Sequence, residues 1–193
     1  MYGDKAAEIF LQSLRPQSRV LDIGAGREKG FKRLLEQAGH EHVPLDIGQG
    51  EDWEGDIRPS HSRAYDGVWM SHVLEHLMDT HQALTKIHTV IKDQGVIGIT
   101  VPPLKHEIVG GHVSLWNAGL LLYRLVLAGF DCSKAAVKTH GYNCSVVLRR
   151  NPVDLPALNH DHGDIEALAQ YLPIRVQGDS YDGQIAEVNW GPV

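Results

Sequence analysis

Residues able to do chemistry gather in three stretches of this chain. In 70-MSHVLEHLMDTH-81, His72, Glu75 and His76 fall into an H-x-x-E-H spacing. On a preformed helix that spacing offers two imidazoles to zinc with a carboxylate beside them. Taken alone, it describes a zinc hydrolase working through His72 and His76. The second stretch, 102-PPLKHEIVGGHVSLWN-117, holds His106, Glu107 and His112, with Gly110-Gly111 as a hinge and Trp116 as an apolar or stacking wall. An imidazole there, with its ordinary pKa near 6.5, suits taking a proton from a hydroxyl. The third, 20-VLDIGAG-26, sets Gly24 and Gly26 after an acid, Asp22. Such a turn lets the backbone approach a ligand, and the helix after it presents unpaired N–H groups.

Strands and helices must hold these residues. Residues 4–15 have apolar side chains at helical spacing, closed by Pro16. Arg19 to Ile23 reads as a buried strand, the glycine turn follows, and Phe31, Leu34, Leu35 and Ala38 mark a helix. His42 to Ile47 predicts a second strand, Tyr65 to Met70 a third, and 79-DTHQALTKIHTVIKDQG-95 a helix capped by Asp79 or Thr80. The β-branched run 96-VIGITVPP-103 predicts a central strand buried on both faces. An apolar helix over 116–130 and strands near 131–138 and 143–150 come next, and Asp164 to Tyr171 is a short helix. Alternating strands and helices predict a mostly parallel sheet covered on both sides.

In such a sheet, ligands bind at the carboxyl ends of the strands. His72 and His76 therefore follow a buried strand, which is not the helix that the zinc motif requires, and no metal is expected. Asp22 at a strand end repels a pyrophosphate but attracts a cationic or amine-bearing group. Asp46, 22 residues after Gly24, is placed to accept hydrogen bonds from ribose hydroxyls. A nicotinamide oxidoreductase would want a full glycine fingerprint and no acid at the strand end, so that reading ranks third.

With these residues in order, the chain resembles the class I S-adenosylmethionine-dependent methyltransferases over about residues 19–150. The resemblance rests on 20-VLDIGAG-26, 43-VPLDI-47, 55-GDI-57, 65-YDGVWMSHVLEHL-77 and 95-GVIGITVP-102. It implies a Rossmann-like, doubly wound α/β fold with a seven-stranded sheet. It also implies S-adenosylmethionine as cofactor, with S-adenosylhomocysteine as product. Asp22, Gly24, Ala25 and Gly26 would line the methionine part; Asp46 and Ile47 would hold the ribose; Asp56 and Ile57 would contact the adenine; Ser71 and His72 would close the site. The segment after the fourth strand of that family often carries Leu-Glu-His, which accounts for Leu74, Glu75 and His76 without a metal. The family's usual third glycine is Glu28 here, with Gly30 taking over after a longer turn, as in small bacterial members. The segment 111-GHVSLWNAGLLLYRLVLAGF-130 is similar to methyltransferases of sugar and small-metabolite pathways. That implies an O-methyltransferase acting on a hydroxyl of a small polar molecule, with His112, then His106, then His76 as candidate catalytic residues.

Bulk properties agree with a small-molecule enzyme. The 193 residues are 42% hydrophobic and 22% charged, a size and composition for one domain. The formal charge of −6 supplies no field for a nucleic acid, and no apolar run reaches the ~20 residues of a membrane span. Without a secretory pattern at the N-terminus, the expected compartment is the cytoplasm. The two cysteines, Cys132 and Cys144, suggest ordinary thiols, and twelve histidines suggest mainly surface and hydrogen-bonding positions. Residues 1–150 are expected to form the cofactor-binding domain, and 151–193 an extension that caps it or makes a homodimer contact. The rival from another class is an accessory module that keeps the cofactor fold without catalysis; Glu28 favours it, and the paired Asp22 and Asp46 speak against it.

Overall fold

The computed structural model describes residues 3–26, 30–46 and 62–193. Helix α1 (Asp4–Ser13) buries Ala6, Ala7, Phe10 and Ser13 at three- and four-residue spacings and stops before Pro16. Strand β1 (Arg19–Ile23), helix α2 (Gly30–Gln37) and strand β2 (Glu41–Leu45) form the first strand–helix–strand unit. Strand β3 (Tyr65–Ser71) and helix α3 (Thr80–Val90) lead to β4 (Ile91–Val101), and α4 (Ala118–Leu127) leads to β5 (Ala136–His140) and β6 (Asn143–Arg149). The C-terminal stretch adds a one-and-a-half-turn helix, α5 (Asp164–Leu168), and the two-residue strand β7 (Glu187–Val188).

The seven strands form one sheet in the order β2-β1-β3-β4-β6-β5-β7. Pairings β1–β2, β1–β3 and β3–β4 are parallel, and β4–β6, β5–β6 and β5–β7 antiparallel. The expected mostly parallel sheet is present, since β1 to β5 all run in one direction. β6 and β7 run the other way, β6 because a tight turn joins it to β5 and forces antiparallel pairing.

Alternation along the strands divides the core into two layers. Val20, Trp69 and Val96 meet α1 and α2 through Phe10, Phe31 and Leu35, with Trp69 stacked on Phe31 at 4.7 Å between ring centroids. Leu21, Val68, Met70, Ile97 and Ile99 face the other way, onto Leu84 and Ile87 of α3 and Leu121 and Leu125 of α4. Helices cover both faces, as the continuous apolar strands require.

Two expected boundaries move. The helix expected over 79–95 ends at Val90, because Ile91 already pairs with Tyr65 on β3 and Gln94 takes a left-handed φ of 61°. The strand expected from 131 begins at Ala136: Ser133 N–H donates to Asp131 Oδ1 in a turn, and Cys132 and Ala135 are buried as core residues without strand pairing.

Residues 151–193 fold back onto the sheet. Leu168, Leu172 and Ile185 are buried in the larger core layer, β7 extends the β5 edge, and Gly119 N–H donates to Gly183 O at 3.0 Å. Among the described residues no helix is long and apolar enough to cross a membrane.

Candidate functional site

The glycine turn is fastened to the end of β2. Gly24 N–H and Ala25 N–H donate to Leu45 O at 2.8 and 3.4 Å, and Gly26 N–H donates to Asp46 Oδ2 at 2.6 Å. Gly24 has φ +72°, and a Cβ there would lie 2.2 Å from Val73 Cγ2. Only glycine permits both the left-handed turn and the approach of the segment after β3.

Behind the turn, Asp22 is 4% exposed and pairs with His42 of β2 (Oδ2 to Nε2, 2.8 Å). Burial raises the Asp22 carboxyl above the ordinary carboxylate range; the hydrogen bond and charge of His42 work against that rise, and the charge of Asp46 adds to it. His42 is a site residue that sequence reasoning missed. The signal available was a polar residue two positions before Pro44, itself the register partner of Asp22.

The end of β3 supplies the opposite wall. Ser71 Oγ is 2.9 Å from Thr100 Oγ1 of β4, and His72 N–H donates to Thr100 O at 2.9 Å. His72 takes a left-handed φ of 55°, and the chain then makes one 3-10 turn over Leu74–His76. No α-helix aligns His72 with His76. His72 Nε2–H instead donates to Asn143 Oδ1 (3.0 Å), an oxygen that also receives Gly3 N–H (3.0 Å). Burial alone would lower the His72 pKa, but Glu75 and Asn143 outweigh it and hold the imidazole above its ordinary value.

The loop after β4 comes back across this turn. Val113 N–H donates to Glu75 O at 2.8 Å, and His76 Nδ1–H donates to Gly111 O at 2.8 Å. A Cβ on Gly111, whose φ is +81°, would stand 3.2 Å from His76 Nδ1, so glycine keeps this crossing close. As a result His112 meets His76 edge to face, ring centroids 4.9 Å apart, beside the fully buried Glu75.

Of the expected catalytic residues, His112 and His76 are brought together, and His106 is exposed on the same loop outside their group. Trp116, expected as a wall, is 2% exposed; it belongs to the core, its Nε1–H donating to Ser114 Oγ. Of the expected cofactor residues, Asp22, Gly24, Ala25, Gly26, Asp46, Ser71 and His72 lie along the carboxyl ends of β1, β2 and β3, whereas Ile47, Asp56 and Ile57, like Glu28, lie outside the described residues. Two carboxylates, Asp22 and Asp46, line this edge, an acceptor set that suits a diol and a positively charged centre.

The model of a protein family described as a methyltransferase domain matches residues 2–134. Similar folds occur in an S-adenosylmethionine-dependent methyltransferase from Archaeoglobus fulgidus (19% identity, 76% of this chain and 93% of that one, TM-score 0.61). They occur also in the 1,6-didemethyltoxoflavin-N1-methyltransferase of Burkholderia thailandensis, solved with its substrate and S-adenosylhomocysteine (18% identity, 76% of each chain, TM-score 0.62). A third is the methyltransferase partner of the Trm112 activator from Haloferax volcanii (18% identity, 86% and 83%, TM-score 0.53). No curated protein matches the sequence.

Proposed function

The chain belongs to the class I S-adenosylmethionine-dependent methyltransferase family, and from that premise we propose that it moves a methyl group from S-adenosylmethionine to a hydroxyl of a sugar or related small metabolite. The observation that carries the acceptor half of this reading is the His76–His112 pair, which sits one 3-10 turn from the glycine-rich edge.

S-adenosylmethionine supplies an electrophilic methyl on a sulfonium centre. Gly24, Ala25 and Gly26 would hold its methionine portion against the backbone, Asp46 its ribose, and Ser71 and His72 the wall beside it. Asp22, paired with His42 at 2.8 Å, keeps a carboxylate under the turn and favours a positive ligand. Ile47, Asp56 and Ile57 are proposed on resemblance alone to continue the ribose and adenine contacts.

In-line transfer depends chiefly on holding the acceptor about 3 Å from the methyl in the right direction. A hydroxyl acceptor must also lose a proton, a task this reading gives to the imidazoles of His112 and His76, supported by their pairing beside the turn after β3. His106 is the second candidate for that task. The exposed Leu104, Ile108, Val113 and Leu115 of the same loop give the acceptor an apolar rim. The formal charge of −6 fits a neutral or nucleotide-linked sugar no better than many other acceptors; a homodimer contact through residues 151–193 is part of the same proposal.

The test is a methyl-transfer assay across neutral sugars, sugar nucleotides and amines, followed with His112→Ala. The expected result is transfer to a hydroxyl, with turnover reduced about 10²-fold or more and cofactor affinity unchanged. Preferential methylation of amines, or an unaltered rate in His112→Ala, would remove the hydroxyl reading.

A further inference from the structure

Glu75 is 0% exposed, and neither of its carboxylate oxygens has a hydrogen-bond partner. A buried carboxylate left so costs several kcal/mol unless a cation answers it. His72 Nδ1 stands 3.3 Å from Oε1, in ion-pair range but without hydrogen-bond alignment. The other groups before this carboxylate are His76 Nε2, 3.9 Å from Oε1, and a ring nitrogen of His112; the three ligand atoms lie within 4.8 Å of one another.

The tautomer of His76 is fixed by its surroundings. Its Nδ1–H is given to Gly111 O, which leaves the lone pair on Nε2, the atom that faces Glu75. An imidazole whose far N–H is anchored on a carbonyl is the arrangement found in metal-ligating histidines, and ligating carboxylates are themselves braced by a donor behind them, as His72 would brace Glu75.

We propose that Glu75, His76 and His112 form a binding site for one divalent transition-metal ion of the zinc type. Two imidazoles and one carboxylate are the ligand set of an open site, in which remaining positions take water or substrate. Ligands sharing an ion at zinc's ~2.0–2.1 Å bond lengths stand no more than about 4 Å apart. The 4.8 Å span therefore closes by a small rotation of His76, whose side chain is 46% exposed, or of the half-buried His112, while burial fixes Glu75. This site is distinct from the helical pair His72 and His76: His72 takes the supporting place, and the third ligand comes from 36 residues further along the chain than His76.

The proposal rests on the methyltransferase reading for the ion's use. With the ion bound, its open positions would take the acceptor's hydroxyl oxygen and ease loss of that hydroxyl's proton to water; without the ion, the same imidazoles take the proton themselves.

The full chain, stripped of metal with a chelator, is titrated with Co²⁺ by visible absorbance and then with Zn²⁺ in competition, and S-adenosylmethionine binding is measured in the same preparation. One saturable equivalent is expected, displaced by Zn²⁺, weakened at least about tenfold in His112→Ala and in Glu75→Gln, and unchanged in the exposed His81→Ala. His112→Ala keeps the test decisive if the buried Glu75→Gln fails to fold. Binding by His112→Ala equal to that of the parent protein, or no saturable equivalent, would overturn the metal site. Cobalt binding without S-adenosylmethionine binding would instead count against the methyltransferase reading, leaving the ion site standing.

Discussion

At the scale of single residues, Gly24 carries a double requirement. Its φ of +72° disfavours any side chain, and the 2.2 Å approach of Val73 Cγ2 to the place of a Cβ leaves no room for one. Gly24→Ala should lower stability by about 1–3 kcal/mol, measured by denaturant unfolding, and adding Val73→Ala should return only the part owed to the contact. Full recovery in the double variant would mean that the left-handed backbone costs nothing here. The places of Asp22, Gly24 and Asp46 at strand ends are legible, because an apolar run closed by an acid or a glycine turn marks where a strand stops. The group formed by Glu75, His76 and His112 is not legible as a group. Its third member arrives through two hydrogen bonds of a loop to a 3-10 turn, and no periodicity records such a crossing.

Among elements, α3 shows how tertiary pairing overrides local pattern. Its helical spacing runs on in the sequence to Gly95, but the β3 edge captures Ile91, and Arg150 fixes the junction, its Nε–H donating to His88 O and its guanidinium pairing with Asp93. His88 lies at the end of α3 against Phe130, its Nε2 buried without a partner. Burial first, then the charges of Arg150 and Arg63, hold its pKa below the ordinary value, against Asp93 and the Gly129 backbone, which raise it. The folded protein thus binds fewer protons at this site than the unfolded chain. Its contribution to stability is complete above the ordinary histidine value of about 6.5 and is lost as pH falls through the lower, folded value. Denaturant unfolding across that range should show stability falling toward acid, with a shallower fall in His88→Phe; an identical fall in both proteins would assign it elsewhere, and His40 and His140, also lowered, are the next candidates.

The whole molecule is one mixed sheet to which residues 151–193 contribute. The parallel half was legible in the sequence because β1, β3 and β4 carry buried apolar runs, and β2 follows the helix that the first glycine turn opens. The antiparallel half was less so, since Cys132 and Ala135 look like strand residues yet serve the core from a turn. The tail's role could not be read at all from a segment interrupted by prolines. Its integration is testable: Ile185→Ala removes a buried side chain and should cost about 2–4 kcal/mol, and Tyr181→Phe, which loses a 2.8 Å bond to Gly119 O, about 1 kcal/mol. Both should lower a single unfolding transition, whereas a separate early transition would make the tail an independent unit. The central claim concerns the edge where β1, β2 and β3 end. Calorimetric titration with S-adenosylmethionine, S-adenosylhomocysteine and NAD tests it most directly. Micromolar binding of the first two, none of NAD, and loss of both in Asp46→Ala with the fold retained is the predicted result. Absence of binding by either sulfur compound, or equal binding in Asp46→Ala, would contradict the account.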